Sequence, residues 1–271
     1  MNGMEARKHT VAHDGRQVCW HQMGSGPHLV LLHGGHGSWQ HWVRNAAVLA
    51  RNFTVWVPDM PGYGESDAPS EPTLASLTDL TWATLDSLVG PASAINLVGF
   101  SFGALVAAQL AAQRPQVQRL ALLGPAGHGG VRRPKGDLLP WRAALQSGDK
   151  QALAQVMRAN LAVHMLHDPV RIDDQAVQLH TTACLQTRFH SKTISRAAGL
   201  RAALGLYFGP LLLLWGEHDV TVQPDLMGRS LSEGRTDCCV QMVTDAGHWV
   251  QYEQADAVNT LLLDWLEPKH D

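Results

Sequence analysis

The residues best placed to do chemistry centre on Ser101, in the run Gly99-Phe100-Ser101-Phe102-Gly103. A G-x-S-x-G run is informative where a strand turns directly into a helix. Here it joins the apolar run Ile95–Phe100 to the Ala- and Leu-rich stretch Phe102–Gln113. In so tight a turn, side chains two residues either side of the serine would collide. Gly99 and Gly103 put hydrogen atoms there instead. Ser101 is then lifted clear of the backbone at a helix N-terminus, where free N–H groups favour a developing oxyanion. The blander reading is a serine that only caps its helix.

A serine hydroxyl is a weak nucleophile until a base takes its proton. The chain has 15 histidines, so most are bystanders. His248, in Asp245-Ala246-Gly247-His248-Trp249, follows the last strand-like run and precedes the last helix-like one. A base also needs a carboxylate to orient it. Asp219, in Trp215-Gly216-Glu217-His218-Asp219, follows the apolar run Leu211–Trp215, with one helix and one strand between it and His248. The chain order is nucleophile, acid, base. Glu217, His218 and Asp245 are neighbouring alternatives, and the strand-end position favours Asp219. His248 must be uncharged to accept the proton, so turnover should rise with pH through the histidine range.

Alternating elements must position these groups. Strand-length runs fall at Val18–Met23, His28–His33, Phe53–Val57, Ile95–Phe100, Arg119–Leu123, Leu211–Trp215 and Val240–Val243. Helical patterns fall at Trp39–Ala50, Leu74–Val89, Phe102–Gln113, Pro224–Ser232 and Val250–Leu266. This alternation predicts an α/β protein with a mostly parallel, doubly wound sheet. From about residue 124 to 209 the strand signals vanish. Amphipathic helical stretches replace them near Leu139–Gln146, Gln151–His164 and Asp173–Phe189. The expected division is a core of 1–124 and 209–271, with a helical cap, 125–208, inserted. Ligands of such sheets sit beyond the carboxyl ends of the strands.

The stretches His33-Gly34-Gly35, Asp59–Asp67, Gly99–Gly103, Gly216–Asp219 and Gly247-His248 together resemble the α/β-hydrolase superfamily over nearly the whole chain. The resemblance implies Ser101 as nucleophile, His248 as base and then acid, and Asp219 as its orienter. It also implies an oxyanion hole made by the amides of Phe102 and of the loop after His33, assigned to Gly35. The cap lies where this superfamily usually inserts one. The stretch Gly247-His248-Trp249-Val250-Gln251-Tyr252-Glu253 is similar to meta-cleavage-product hydrolases, which cut a carbon–carbon bond in vinylogous diketo acids from aromatic catabolism. That subgroup's serine turn usually reads Gly-Asn-Ser-Met-Gly-Gly, whereas this one reads Gly-Phe-Ser-Phe-Gly-Ala, and the loop after His33 is shorter. Apolar residues flanking Ser101 suit an ordinary ester equally. The expected function is therefore a serine hydrolase acting on an ester or an activated carbon–carbon bond of a small, largely apolar carbonyl compound. His36, Phe100, Arg188 and Trp249 are the candidate substrate contacts. Relatives that open haloalkanes or epoxides carry aspartate where this chain has Ser101. A catalytically silent binding protein on the same fold is the alternative, and such proteins usually lack one triad member.

Composition narrows the partners. Of 271 residues, 45% are hydrophobic and 17% charged, enough to bury a core and exclude wholesale disorder. Lys+Arg 21 against Asp+Glu 24 gives −3, with no basic surplus for nucleic acid and no polybasic run for an anionic membrane. Apolar runs such as Leu211–Trp215 are too short to span a bilayer. The opening residues are polar, without the apolar stretch of a secretory signal, so the cytoplasm is the expected location. Cys19, Cys184, Cys238 and Cys239 form no C-x-x-C pair and are expected to be free thiols. Neither G-x-G-x-x-G after an early strand nor a phosphate-binding G-x-x-x-x-G-K-[ST] occurs, so no cofactor is expected. His33, His36 and His41, like His164, His167 and Asp168, lack the pattern of a metal site. The expected partner is a small-molecule substrate, and association with a second copy stays open.

Overall fold

A computed structural model describes residues 6–267. Residues 1–5 and 268–271, which the expected core spans, lie outside the described residues. The strands are β1 (Arg7–His13), β2 (Arg16–Met23), β3 (His28–Leu32), β4 (Thr54–Pro58), β5 (Ile95–Phe100), β6 (Val117–Leu123), β7 (Leu211–Gly216) and β8 (Cys238–Val243). They form one sheet in the order β1-β2-β4-β3-β5-β6-β7-β8. β1 and β2 pair antiparallel, as do β2 and β4, and the pairings from β4 through β3 to β8 are parallel. A parallel sheet is covered on both faces, and its strands are apolar throughout. Accordingly β5 and β7 are buried at every position. Successive residues face opposite layers. Val30, Leu32 and Leu97 enter one core, while Leu29, Leu31 and Val98 enter the other.

The helices are α1 (Leu74–Val89), α2 (Phe102–Gln113), α3 (Arg142–Gln146), α4 (Lys150–His164), α5 (Asp174–Leu185), α6 (Lys192–Arg196), α7 (Leu200–Leu204), α8 (Pro224–Ser232) and α9 (Ala255–Leu266). The hydroxyl of Thr73 caps α1 by accepting the Ser76 amide. α2 is rich in alanine because it lies close against the sheet, and Ala104, Ala107 and Ala108 are fully buried. α3 to α7 all fall between β6 and β7. Asp149 and Asp173 accept amides at the starts of α4 and α5. No helix among the described residues is long and apolar enough to cross a membrane.

Three features differ from the sequence reading. β1 was not foreseen, because its residues RKHTVAH are exposed or half-buried throughout and show no apolar face. The stretch after residue 39 breaks into a 3-10 turn, Trp39–Trp42, and a single helical turn, Ala46–Leu49. The last helix is interrupted at Gln254, whose φ −119 and ψ 55 are not helical.

Candidate active site

The sheet register brings the chemical groups together. Leu32 of β3 pairs with Gly99 of β5, which sets the loop after His33 beside Ser101. Gly216 of β7 pairs with Val243 of β8, which sets the Asp219 turn beside the His248 loop. Ser101 sits between β5 and α2 at φ 54 and ψ −116, a left-handed position that a serine adopts only under constraint. The constraint is visible in its glycines. A Cβ on Gly99 would lie 2.5 Å from Ala104 Cα, and one on Gly103 would lie 2.5 Å from the Leu32 carbonyl oxygen.

The three predicted side chains meet. His248 Nε2 lies 2.9 Å from Ser101 Oγ, and His248 Nδ1 lies 2.8 Å from Asp219 Oδ2. Asp219 Oδ1 accepts both the amide and the hydroxyl of Thr221 at 2.7 Å. Burial pushes the Asp219 carboxyl toward protonation, but the His248 ring and the bonds from His248 and Thr221 outweigh it. The net effect holds the acid below its ordinary range. An ionised Asp219 accepts from Nδ1–H and leaves the Nε2 lone pair toward Ser101. Glu253 steadies the histidine loop: its buried carboxylate accepts the amides of Gly247 (2.7 Å), His167 (2.8 Å) and Asp168 (2.6 Å). Asp245 takes no part in orienting the histidine; its carbonyl accepts from Gln254.

Gly35 and Phe102 line the same cavity as Ser101 and His248. Among the described residues neither backbone N–H donates to any acceptor. A Cβ on Gly35 would stand 3.7 Å from Phe102 Cβ, so the two residues are neighbours. His33 fixes their loop. Its Nδ1–H donates to the Gly34 carbonyl and its Nε2 accepts the Met60 amide. Burial pushes His33 down to about 4, which keeps the ring neutral for both roles.

The cavity is about 650 Å³, a size that suits a small-molecule ligand. Of the candidate substrate contacts, His36 and Phe100 line it. Arg188 does not. Its guanidinium is drawn to the carbonyls of Gly64 and Ser66, on the turn-rich loop after β4. Trp249 also stays out of the cavity: it is fully buried, stacks on Tyr252 and donates from Nε1 to the His41 carbonyl. The sequence reading missed His180 and weighed His164 only as a metal ligand; both line the wall opposite the sheet. The His164 ring centre lies 5.7 Å from that of His248. Burial pushes His164 down to about 3 and His180 to about 4, so both rings are neutral near pH 7. Elsewhere, Cys19, His21 and Asp59 form the one group of metal-ligand side chains brought together among the described residues. Both Asp59 oxygens already accept amides, from Trp39 and Glu65, which makes this carboxylate a clamp on its loop.

The profile of the alpha/beta hydrolase fold family matches residues 27–255, which include Ser101, Asp219 and His248. The chain belongs to that family. Within this α/β-hydrolase family it is 30% identical to the dihydrolipoyllysine-residue acetyltransferase component of the acetoin cleaving system of Pseudomonas putida, over 94% of this chain and 68% of that one. It is 27% identical to a 2-hydroxy-6-oxo-6-phenylhexa-2,4-dienoate hydrolase of Burkholderia cepacia, over 90% of this chain and 88% of that one. In structure it resembles naproxen esterase from Bacillus subtilis, with a TM-score of 0.76 and 20% identity over 97% and 92% of the two chains.

Proposed function

We propose that this α/β-hydrolase is a serine hydrolase that cleaves an ester or an activated carbon–carbon bond next to a carbonyl. The observation that carries the reading is the continuous relay from Asp219 through His248 to Ser101, at 2.8 and 2.9 Å, in a cavity also lined by Gly35 and Phe102. In the ester case, His248 Nε2 takes the Ser101 proton as Oγ attacks the carbonyl carbon. The oxyanion falls to the N–H groups of Gly35 and Phe102, each worth on the order of 3 kcal/mol in the transition state. His248 returns the proton to the leaving alkoxide, and an acyl-enzyme remains. Water gives a proton to His248, attacks the acyl carbon and frees Ser101. Asp219 holds the ring in orientation and stabilises the imidazolium. The segment 125–208 serves as the cap that closes the cavity over the substrate.

The hydrolase relative supports bond cleavage at a conjugated ketone, and the esterase neighbour supports only the fold. The test is parallel turnover of p-nitrophenyl esters of increasing acyl length and of a dienoate diketo acid, by the wild type and Ser101→Ala. A loss of roughly 10⁴-fold or more in the variant, with an unchanged fold, is expected. Near-wild-type rates would reject the assignment. The better substrate class decides which bond is cut.

A further inference from the structure

The cavity carries formal charge of one sign. Its lining includes Arg132, Arg142, Lys192 and Arg196 but no aspartate or glutamate. The whole chain has the opposite bias, with 24 acids to 21 bases. Among the described residues, none of these four side chains forms an ion pair or donates to a carbonyl. By contrast, Arg44, Arg158 and Arg235 are paired with aspartates, and Arg201 is bonded to Ser230. The neighbouring Arg133 is also engaged, donating to the carbonyls of Glu217, Asp219 and Val222. One arginine of the Arg132-Arg133 pair therefore braces the acid's turn while the other is left to the cavity. Arg132 is half-buried, and burial together with the nearby charge of Arg196 opposes its protonated state, which the Asp219 carboxylate offsets only in part. An anion between the two guanidinium groups would relieve that opposition. His164 and His180 are held neutral and supply no counter-charge.

We propose that Arg132 and Arg196 form an anion subsite, so that the substrate bears a carboxylate in addition to the carbonyl presented to Ser101. The subsite refines the hydrolase reading by naming the substrate class as a small carboxylic acid derivative. It also departs from the sequence expectation that Arg188 meets the substrate.

Binding is measured separately from turnover, so that the two ideas fail separately. Monomethyl glutarate and dimethyl glutarate are titrated into the Ser101→Ala protein by calorimetry. The half-ester, an anion, is expected to bind at least about tenfold more tightly than the neutral diester. Its advantage is expected to shrink severalfold between roughly 50 and 500 mM NaCl. The added double substitution Arg132→Gln and Arg196→Gln is expected to bring the ratio of affinities close to one, whereas Arg201→Gln preserves it. Should the double variant fold poorly, Arg196→Gln alone and the salt series on the parent protein decide the matter. Equal affinities, or a preference that survives the double substitution and high salt, would overturn the subsite. Absence of turnover by the wild type on any ester or diketo acid would instead count against the hydrolase reading.

Discussion

The two walls of the cavity are held by different means. On the sheet side, the backbone at the strand ends sets where Ser101, Asp219 and His248 stand. Ser101 sits at φ 54 in a turn so close that Gly99 and Gly103 have no room for a Cβ, and the backbone of Gly35 and Phe102 stands beside it. On the opposite side, the helices between β6 and β7 are fastened largely through side chains. Asn160 bonds the backbone of Leu139, Arg44 pairs with Asp173 at 2.6 Å, and Glu253 gathers the amides of His167 and Asp168. α3 buries no residue at all. Chemistry that depends on backbone position tolerates little change. Recognition that depends on side chains can change one residue at a time.

That contrast can be broken most forcefully at Gly103. Gly103→Val drives a branched side chain into the Leu32 and His33 carbonyls. A loss on the order of 4 kcal/mol is expected in urea unfolding, as for other overpacked or strained core sites. An unchanged midpoint would mean that the turn is looser than its contacts indicate.

The pH dependence of stability tests the same wall. His33 is fully buried and held at about 4, below its ordinary 6.5. A lowered value means that the folded state resists protonation, so its stabilising effect is intact above pH 6.5. It is lost as pH falls toward 4, and amounts to about 3 kcal/mol for this residue. Urea unfolding at stepped pH should show stability falling across that window, with a shallower slope in His33→Gln. Parallel slopes would contradict the role given to the ring.

Glu253 joins both walls, since its carboxylate accepts amides from the histidine loop and from the segment after α4. Glu253→Gln turns an NH₂ group toward N–H donors, with an expected cost of about 2 kcal/mol. Turnover should fall together with stability. A purely thermal effect would separate Glu253 from the placement of His248.

The smallest effect is expected at Leu138, which lines the cavity yet is 56% exposed. Leu138→Ala should shift unfolding by less than about 0.5 kcal/mol while changing the ranking of acyl lengths. A large loss of stability would show that this wall is built like the other.

The same contrast explains what the sequence made legible. Ser101, Asp219 and His248 could be located because each follows a strand-length run ending at the carboxyl edge of the sheet, where position follows from topology. Gly35 and Phe102 had no such signal of their own and entered only through the resemblance to α/β-hydrolases. β1 was not legible because RKHTVAH has no buried face. Arg188 and Arg132 both lie in irregular chain, where no period tells which guanidinium turns inward and which finds carbonyl partners. Trp249 sits next to His248 but points the other way, into the core behind the loop. His180 escaped notice, and His164 was weighed only as a metal ligand, because α4 and α5 are half-exposed and their cavity-facing residues form no apolar stripe.

The central claim is that Ser101 is an activated nucleophile. Intact-mass and peptide analysis after brief exposure to a fluorophosphonate probe tests it most directly. One adduct per chain, on Ser101, is expected in the wild type, with none in Ser101→Ala and strongly slowed labelling in His248→Ala. A wild-type protein that stays unlabelled, or labels as fast without the imidazole, would contradict the account.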